Sequence, residues 1–168
     1  MLKKIALLVV LFALPLGAMA QKFAHMNSQE VIVVMPEYTK AQADLEAMSK
    51  KYSQEMERTQ SEFNKKVQEF QQQADSLPRN IAERRQKELQ ELQEKGMQFQ
   101  QDAQQQLQKS YADMMEPIYK KIEDAIKAVG QEGGYTYIFD LNRTEIPYVN
   151  EAQSTDVTAA VKAKVGIK

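Results

Sequence analysis

The strongest constraint on this chain is a stripe of apolar residues that recurs every three or four positions between Glu37 and Val129. Pro78, Gly96 and Pro117 are the only prolines or glycines in that interval. Such spacing keeps one face of a helix apolar, while the charged and glutamine-rich remainder faces water. The sequence therefore predicts two helices of about 41 and 49 residues, which would span roughly 60 and 70 Å.

The break between these two helices is predicted near residues 76–80, around Pro78. Proline cannot continue the first helix, and it also disfavours helical geometry at Leu77. A short connection makes consecutive helices antiparallel neighbours. We therefore expect residues 37–130 to form a long antiparallel helical hairpin, a coiled-coil arm. The alternative is one continuous helix, kinked at Pro78, in a long parallel coiled coil.

The two ends of the chain predict a different kind of structure. Residues 22–27 and 135–140 have strand composition, and the second segment alternates aromatic residues after the glycine-rich breaker 130–134. Residues 146–149 are a candidate second strand, entered at Pro147 in an edge position. Ser154 or Thr155 is predicted to cap a last short helix, which ends at Gly166 and places three valines on one side. Those valines are Val157, Val161 and Val165.

Residues 21–36 and 131–168 together predict a small α/β body from which the arm projects. A body of roughly fifty residues rarely holds together without disulfides, metals or partners. The chain has no Cys and no ligand cluster, so self-association is the remaining means. The overall expectation is a mostly α chain with a small β-containing, oligomeric body. The candidate oligomerisation residues are Phe23, Tyr137, Phe139 and Val149.

Residues 1–20 have the features of a cleaved secretory signal peptide. Lys3 and Lys4 precede an unbroken apolar run, and residues 18–20 supply the small side chains that a signal peptidase needs. The run is too short to span a membrane, which takes about 20 residues. Export of a chain that lacks Cys predicts a periplasmic protein.

Catalytic and cofactor chemistry has little support in this sequence. The single histidine, His25, has no Ser or acidic partner at a recognisable spacing, so a structural role is favoured. The glycine-rich segment 130–134 lacks the Lys-Ser/Thr of a phosphate-binding loop. The formal net charge of −1 argues against nucleic acid. We expect no enzyme activity, no cofactor and no metal.

Positive charge is concentrated where the hairpin would turn. Between Leu77 and Lys87 there are four basic residues and one acid, Glu83. They could be ordinary solvated charges with a Glu83–Lys87 pair along the helix. Alternatively, they could form a cationic tip that contacts clients or anionic lipid. The residues of this tip are Arg79, Arg84, Arg85 and Lys87.

Three further apolar residues lie off the main stripe: Met97, Met115 and Tyr119. Methionine is unbranched and polarizable, which suits surfaces that accept many apolar shapes. For Met115 and Tyr119 we favour a structural role, in which the pair seats the arm against the body or a neighbouring subunit.

The order of these pieces resembles the Skp/OmpH family of periplasmic chaperones. The segments that carry the resemblance are 22–30, 137–142, 147–150 and 156–158. The resemblance implies a jellyfish-shaped homotrimer whose arms enclose a cavity. It also implies ATP-independent holding of unfolded outer-membrane β-barrel proteins, so that they do not aggregate. Well-known members are strongly basic, whereas this chain is slightly acidic, which puts electrostatic capture of clients in question.

A structural or adaptor coiled coil of the cell envelope is the alternative function. A holdase must suppress aggregation of an unfolded barrel, while an adaptor should copurify with a fixed folded partner. The partners expected for the holdase are unfolded outer-membrane proteins and further copies of the chain, with anionic lipid as a contact at the tip.

Overall fold

The computed structural model describes residues 21–167, and the signal peptide expected at residues 1–20 lies outside them. The described chain is mostly helical and carries a small three-stranded sheet. Within residues 21–167, no helix is long and apolar enough to cross a membrane. The elements in chain order are β1 (Lys22–Met26), α1 (Ser28–Ile32), α2 (Pro36–Gln73), α3 (Arg79–Gly133), β2 (Tyr135–Asp140), β3 (Ser154–Asp156) and α4 (Thr158–Lys164).

Local chemistry fixes the ends of the two long helices. Pro36 occupies the first position of α2, where a missing N–H costs nothing because the first turn has no acceptor for it. Pro78 is the residue just before α3, in agreement with the break predicted there. Gly134 ends α3 in a left-handed conformation with φ of 64°, which a residue with a Cβ adopts only at a cost. The helix runs through Gly130, so the breaker predicted from that residue onward was placed too early.

Contacts between α2 and α3 pair residues in opposite chain order. Near the start of α2, the Glu37 carboxylate forms an ion pair with Lys121. Farther along, the Tyr52 and Phe99 rings meet edge to face, with centroids 5.9 Å apart. Beyond that point Thr59 lies beside Gly96, and Phe70 and Leu89 line one groove.

The sheet has the strand order β2-β1-β3, and both pairings are parallel. β2 matches the strand predicted over residues 135–140, which is confirmed. The strand predicted at residues 146–149 is wrong, because Pro147 cannot donate to a ladder and the Ile146 N–H instead bonds the Thr144 carbonyl at 2.9 Å.

The third strand occupies the segment in which the sequence predicted a helix cap. Residues 154–156 pair with Phe23–His25, because β1 has a second edge that needs hydrogen-bond partners. Ser154 and Thr155 therefore do not cap α4, which begins at Thr158. The valines predicted to share one side of this helix are all buried, and Gly166 follows it with φ of 89°.

One buried cluster joins the sheet to the helices. Met26, Met35, Val31 and Val161 are its largest fully buried side chains. The far part of α3 belongs to the same cluster through residues that include Met115, Ile118 and Ile122. Burial of Met115 agrees with the structural role favoured for it, since its thioether fills the core.

Candidate interaction surfaces

The outer face of the sheet carries a ladder of three aromatic rings. Phe23 stacks on Tyr137 with ring centroids 6.4 Å apart and planes 5° apart. Tyr137 stacks in turn on Phe139, at 5.9 Å and 28°. Tyr137 is 59% exposed and Phe139 38% exposed. The structure thus brings together three of the four predicted body residues as one exposed apolar surface, here called the aromatic ladder.

A bulge in the backbone pairing of β1 with β2 determines which aromatic side chains face outward. The register between β1 and β2 shifts between Lys22 and Phe23. Tyr135 and Ile138 both pack against the core, while Tyr137 and Phe139 are exposed. Strict alternation would have placed Tyr135 on the same face as the other two, so a bulge separates aromatics that the sequence pattern grouped together.

Val149 does not lie on the sheet with the other predicted body residues. It is half-buried in the irregular segment that connects β2 to β3. The same segment contains Tyr148, which is 76% exposed. The prediction that Val149 belongs to the body surface depends on a strand at residues 146–149. Because these residues form no strand, Val149 is not part of the aromatic ladder.

The predicted cationic tip lies on the first turns of α3, where its side chains are 49% to 92% exposed. Each of them is within ion-pair distance of a glutamate on the same helix. Glu83 is the only acid between Leu77 and Lys87, because Glu88 and Glu91 lie just beyond that interval. The pairs are Arg79–Glu83 at 2.9 Å, Arg84–Glu88 at 3.7 Å, Arg85–Glu88 at 3.3 Å and Lys87–Glu91 at 3.7 Å.

These pairs decide how the tip can act. Exposed ion pairs along a helix add only about 0.3–0.5 kcal/mol each, so they do little for stability. They do lower the net positive charge that a distant anion would meet. Each basic side chain of the tip is therefore paired with a glutamate one helical turn away.

Comparison with protein families decides what kind of chain this is. The family model described as "Outer membrane protein (OmpH-like)" matches residues 22–165, from β1 to the end of α4. The chain belongs to the OmpH-like family. This confirms the resemblance found in the sequence.

A solved structure extends the OmpH-like assignment to three dimensions. It is a Caulobacter crescentus CB15 protein described as a "putative outer membrane chaperone (OmpH-like)", and it superposes with a TM-score of 0.74 at 15% sequence identity. The match covers 86% of this chain and 83% of the other. The comparison with curated protein sequences found no significant match. At this identity the solved structure shows that the fold is shared.

Polar groups on the remaining part of the sheet of this OmpH-like chain hold β3 in place. His25, on the central strand, is 9% exposed, and its Nδ1 lies 2.9 Å from the Ser154 hydroxyl. The sequence showed no partner for His25, because Ser154 is 129 residues away. Because Ser154 lies on β3, this contact joins the central strand to β3.

Asp156 closes the same region by binding the start of α4. Its carboxylate accepts the Thr158 backbone N–H at 2.8 Å. A hydrogen bond from the Thr158 side chain holds the pKa of Asp156 below its usual value, and the charges of His25 and Lys162 act in the same direction. Because the folded pKa is depressed, this carboxylate stabilises the fold above its unfolded pKa, and that contribution is lost as pH falls through the folded pKa.

Asp156→Ala should therefore destabilise the protein at neutral pH by about 1 kcal/mol, as loss of one partly exposed hydrogen bond does. The difference from the parent should narrow below about pH 4. Urea unfolding between pH 3 and pH 7 measures both effects. Asp44→Ala removes an exposed carboxylate on α2 and should shift stability by less than about 0.5 kcal/mol. A difference in unfolding free energy between Asp156→Ala and the parent that stays constant with pH would contradict this account.

No group of three or more His, Cys, Asp or Glu residues within 21–167 is arranged to hold a metal ion. The aromatic ladder and the tip are surfaces rather than enclosed sites. The aromatic ladder provides an aromatic contact surface on the sheet, and the tip provides a charged one.

Proposed function

We propose that this chain is an ATP-independent periplasmic holdase, which binds unfolded outer-membrane β-barrel proteins and prevents their aggregation. The observation that carries the proposal is the family match over nearly all described residues, together with the fold shared with a solved OmpH-like outer membrane chaperone. Residues 1–20 have the features of an export signal, which supports a periplasmic location.

The proposed holdase works without catalysis or nucleotide. Many weak contacts over a flexible client give a useful net affinity, yet each contact releases readily. A client held this way stays dispersed and can leave when an assembly partner accepts it.

The proposed active form is a homo-oligomer, a trimer by resemblance to the family, assembled through the body. The support comes from the sheet. Parallel sheets normally have both faces covered, yet here the aromatic ladder is exposed on one face. Both edge strands, β2 and β3, also present unpaired backbone groups. A second copy of the chain would bury the rings and satisfy those groups.

In the proposed assembly α2 and α3 form an antiparallel hairpin arm that projects from the body over residues 37–130. The reversed order of the contacts between the helices supports this arrangement, from Glu37 with Lys121 to Phe70 with Leu89. Three such arms would enclose a space for one unfolded client.

Cysteines introduced at Phe70 and Leu89 should cross-link within one chain, because these residues line the same groove between α2 and α3. Oxidation followed by denaturing electrophoresis without reductant measures the product. A fast-migrating monomer is expected. Cysteines at Phe70 and Tyr111, which lie far apart along the arm, serve as the control and should not form it. Dimers as the main product of the Phe70–Leu89 variant would instead favour one continuous helix in a parallel coiled coil.

The cationic tip is proposed to act on encounter with clients or with anionic lipid. Arg79→Glu, Arg84→Glu and Arg85→Glu together should slow association with an unfolded barrel protein roughly tenfold at low salt. The difference should shrink as salt shortens the screening length to about 8 Å. Stopped-flow fluorescence measures the rates, and vesicles with anionic lipid measure adhesion.

The matched control for the tip reverses three basic residues that are also paired with acids along a helix. These are Lys40, Arg58 and Lys65, whose partners are Asp44, Glu55 and Glu69. Because the control changes the net charge equally, it separates the location of the charge from its amount. Equal association rates for both variants and the parent would assign the tip to ordinary helix solvation.

Binding to the folded and unfolded forms of one barrel protein tests the proposed function against the adaptor alternative. Gel filtration should recover the chain with an eight-stranded barrel protein freshly diluted from urea. The same barrel protein folded in detergent should elute separately. A complex with the folded form alone would support an adaptor and overturn the holdase.

A further inference from the structure

A groove opens between α2 and α3 halfway along the two helices. It has a volume of about 310 Å³. Its lining is mixed, and the apolar part, here called the floor, includes Met56, Phe63 and Met97. Met97 is 54% exposed, so this part of the floor is open to solvent. Gly96 also lines the groove, and a Cβ there would lie 4.0 Å from the Thr59 methyl carbon.

The rim of this groove is made of amides. Gln60, Gln93 and Gln100 line it, and none of the lining residues is charged. The grooves on either side along the same helices differ in this respect. The one nearer the tip includes Lys66 and Glu88, and the one nearer the body includes Glu37, Lys40 and Lys121.

Two of the rim side-chain amides have hydrogen-bonding groups available for a bound ligand. Within residues 21–167, the side chains of Gln93 and Gln100 make no hydrogen bond to the protein, whereas Gln60 donates to Asn64 at 3.0 Å. Each free amide offers two N–H donors and a carbonyl acceptor. An extended backbone, with its alternating N–H and C=O groups, presents the complementary set.

We infer that this neutral groove binds one extended strand segment of the client, with the apolar side chains on the floor and the strand backbone against the glutamines. This inference rests on the proposed function. Barrel strands alternate apolar and polar residues over about ten positions, so one side of the strand matches the methionine and phenylalanine floor. Methionine adapts to side chains of different shape, which suits a chaperone with many clients.

The absence of charge in the groove gives it a distinct role from the tip. Charges act over a Debye length of about 8–10 Å and lose strength with salt. Amide hydrogen bonds and apolar contacts act only at contact and depend little on salt. The groove thus holds a segment that has already arrived, without selecting clients by their net charge.

The test uses two fluorescent decapeptides of identical composition, made of five valines and five threonines. One alternates the two residues, and the other carries the valines as a block. Fluorescence anisotropy with the full-length mature protein measures their affinity. The parent should bind the alternating peptide roughly fivefold more tightly than the block peptide. Its affinity should change less than about twofold between low and high salt.

Three variants locate the binding. Gln93→Glu with Gln100→Glu places charge on the rim and should weaken binding of the alternating peptide roughly tenfold, since a desolvated carboxylate cannot donate to the strand. Gln54→Glu with Gln105→Glu adds the same charge outside the groove and should stay within about twofold of the parent. Met97→Gln, a change at an exposed position of the floor, should weaken binding about threefold without affecting folding.

Three results would overturn the inference. The first is equal peptide affinity for the rim variant, the control variant and the parent. The second is a large loss of peptide affinity at high salt. The third is dissociation of the oligomer by the rim variant. The last would identify the groove as a contact between copies of the chain.

A separate assay, suppression of barrel aggregation by the parent, distinguishes failure of the groove inference from failure of the proposed holdase function. If the parent protects the barrel protein but peptide binding ignores the rim, the groove fails and the holdase stands. If the parent does not protect it, the proposed function itself fails.

Discussion

Phe139→Asp should dissociate the proposed oligomer while leaving the helices intact. Phe139 is 38% exposed in the single chain and stacks on Tyr137, so the isolated subunit tolerates an aspartate there. In an oligomer that covers the aromatic ladder, the carboxylate would be buried without a partner. Such burial costs several kcal/mol, which weakens association by roughly a hundredfold or more. Sedimentation equilibrium measures the mass, and far-ultraviolet circular dichroism measures helix content.

Val33→Asp provides the control for this substitution. Val33 is 47% exposed and lies between α1 and α2, away from the sheet. The same charge at this site should leave the mass unchanged. If Phe139→Asp keeps the mass of the parent, or if both variants dissociate, then the aromatic ladder is not the subunit contact.

Met26→Ala should cost about 3 kcal/mol of stability, within the usual range for a large-to-small change in a core. Met26 is fully buried on the central strand, in the cluster that joins the sheet to α3 and α4. Removing its side chain leaves a cavity that a three-stranded sheet cannot close by relaxing. Urea unfolding at a fixed subunit concentration measures the change, because an oligomer's apparent stability depends on concentration.

Met97→Ala is the matched control for the buried methionine. Met97 is 54% exposed in the neutral groove, so its loss should cost less than about 0.5 kcal/mol. Comparable losses for the two methionines would contradict the assignment of the core. A small loss at both would mean that the body draws its stability from contacts other than the buried cluster.

The long helices could be predicted because their signal is local. Apolar spacing of three and four residues, with Pro78 as the break, is visible within any short window of the sequence. The exact ends of these helices are harder to predict from the sequence. Gly130 weakens a helix but does not stop one, and α3 ends only at Gly134, where the chain takes a positive φ.

The sheet was predicted only in part, since its pairing is not local. β3 consists of Ser154, Thr155 and Asp156, which show no apolar alternation, and its partner strand is about 130 residues earlier. The short helix α1 was also missed. Its one clear signal is the Asn27 side chain, which accepts the Gln29 N–H at 3.0 Å as an N-cap.

The interaction surfaces required side-chain geometry that a sequence does not carry. The bulge beside Phe23 turns Tyr135 inward, although the sequence places it in register with Tyr137 and Phe139. At the tip, Glu88 accepts contacts from both Arg84 and Arg85, so the tip is less cationic than its composition suggests. In both cases the sequence shows the residues but not the neighbours that their side chains contact in the fold.

Tip, groove and body suggest a division of labour for the proposed holdase. In this proposal, charges at the tip would act during encounter, the neutral groove would hold extended segments, and the aromatic ladder would join the subunits. Each step depends on a different physical interaction, so salt, amide substitution and aromatic substitution should perturb them separately.

Light scattering from an unfolded barrel protein tests the central claim most directly. An eight-stranded outer-membrane barrel protein is diluted from urea into buffer that contains no nucleotide and no detergent, with the mature chain supplied in increasing molar ratio. We predict that scattering falls as the ratio rises and stays near the level of buffer alone once about three chains are present per client. An equal mass of serum albumin should give no such protection. Aggregation at the same rate with the chain as with albumin would contradict the holdase function.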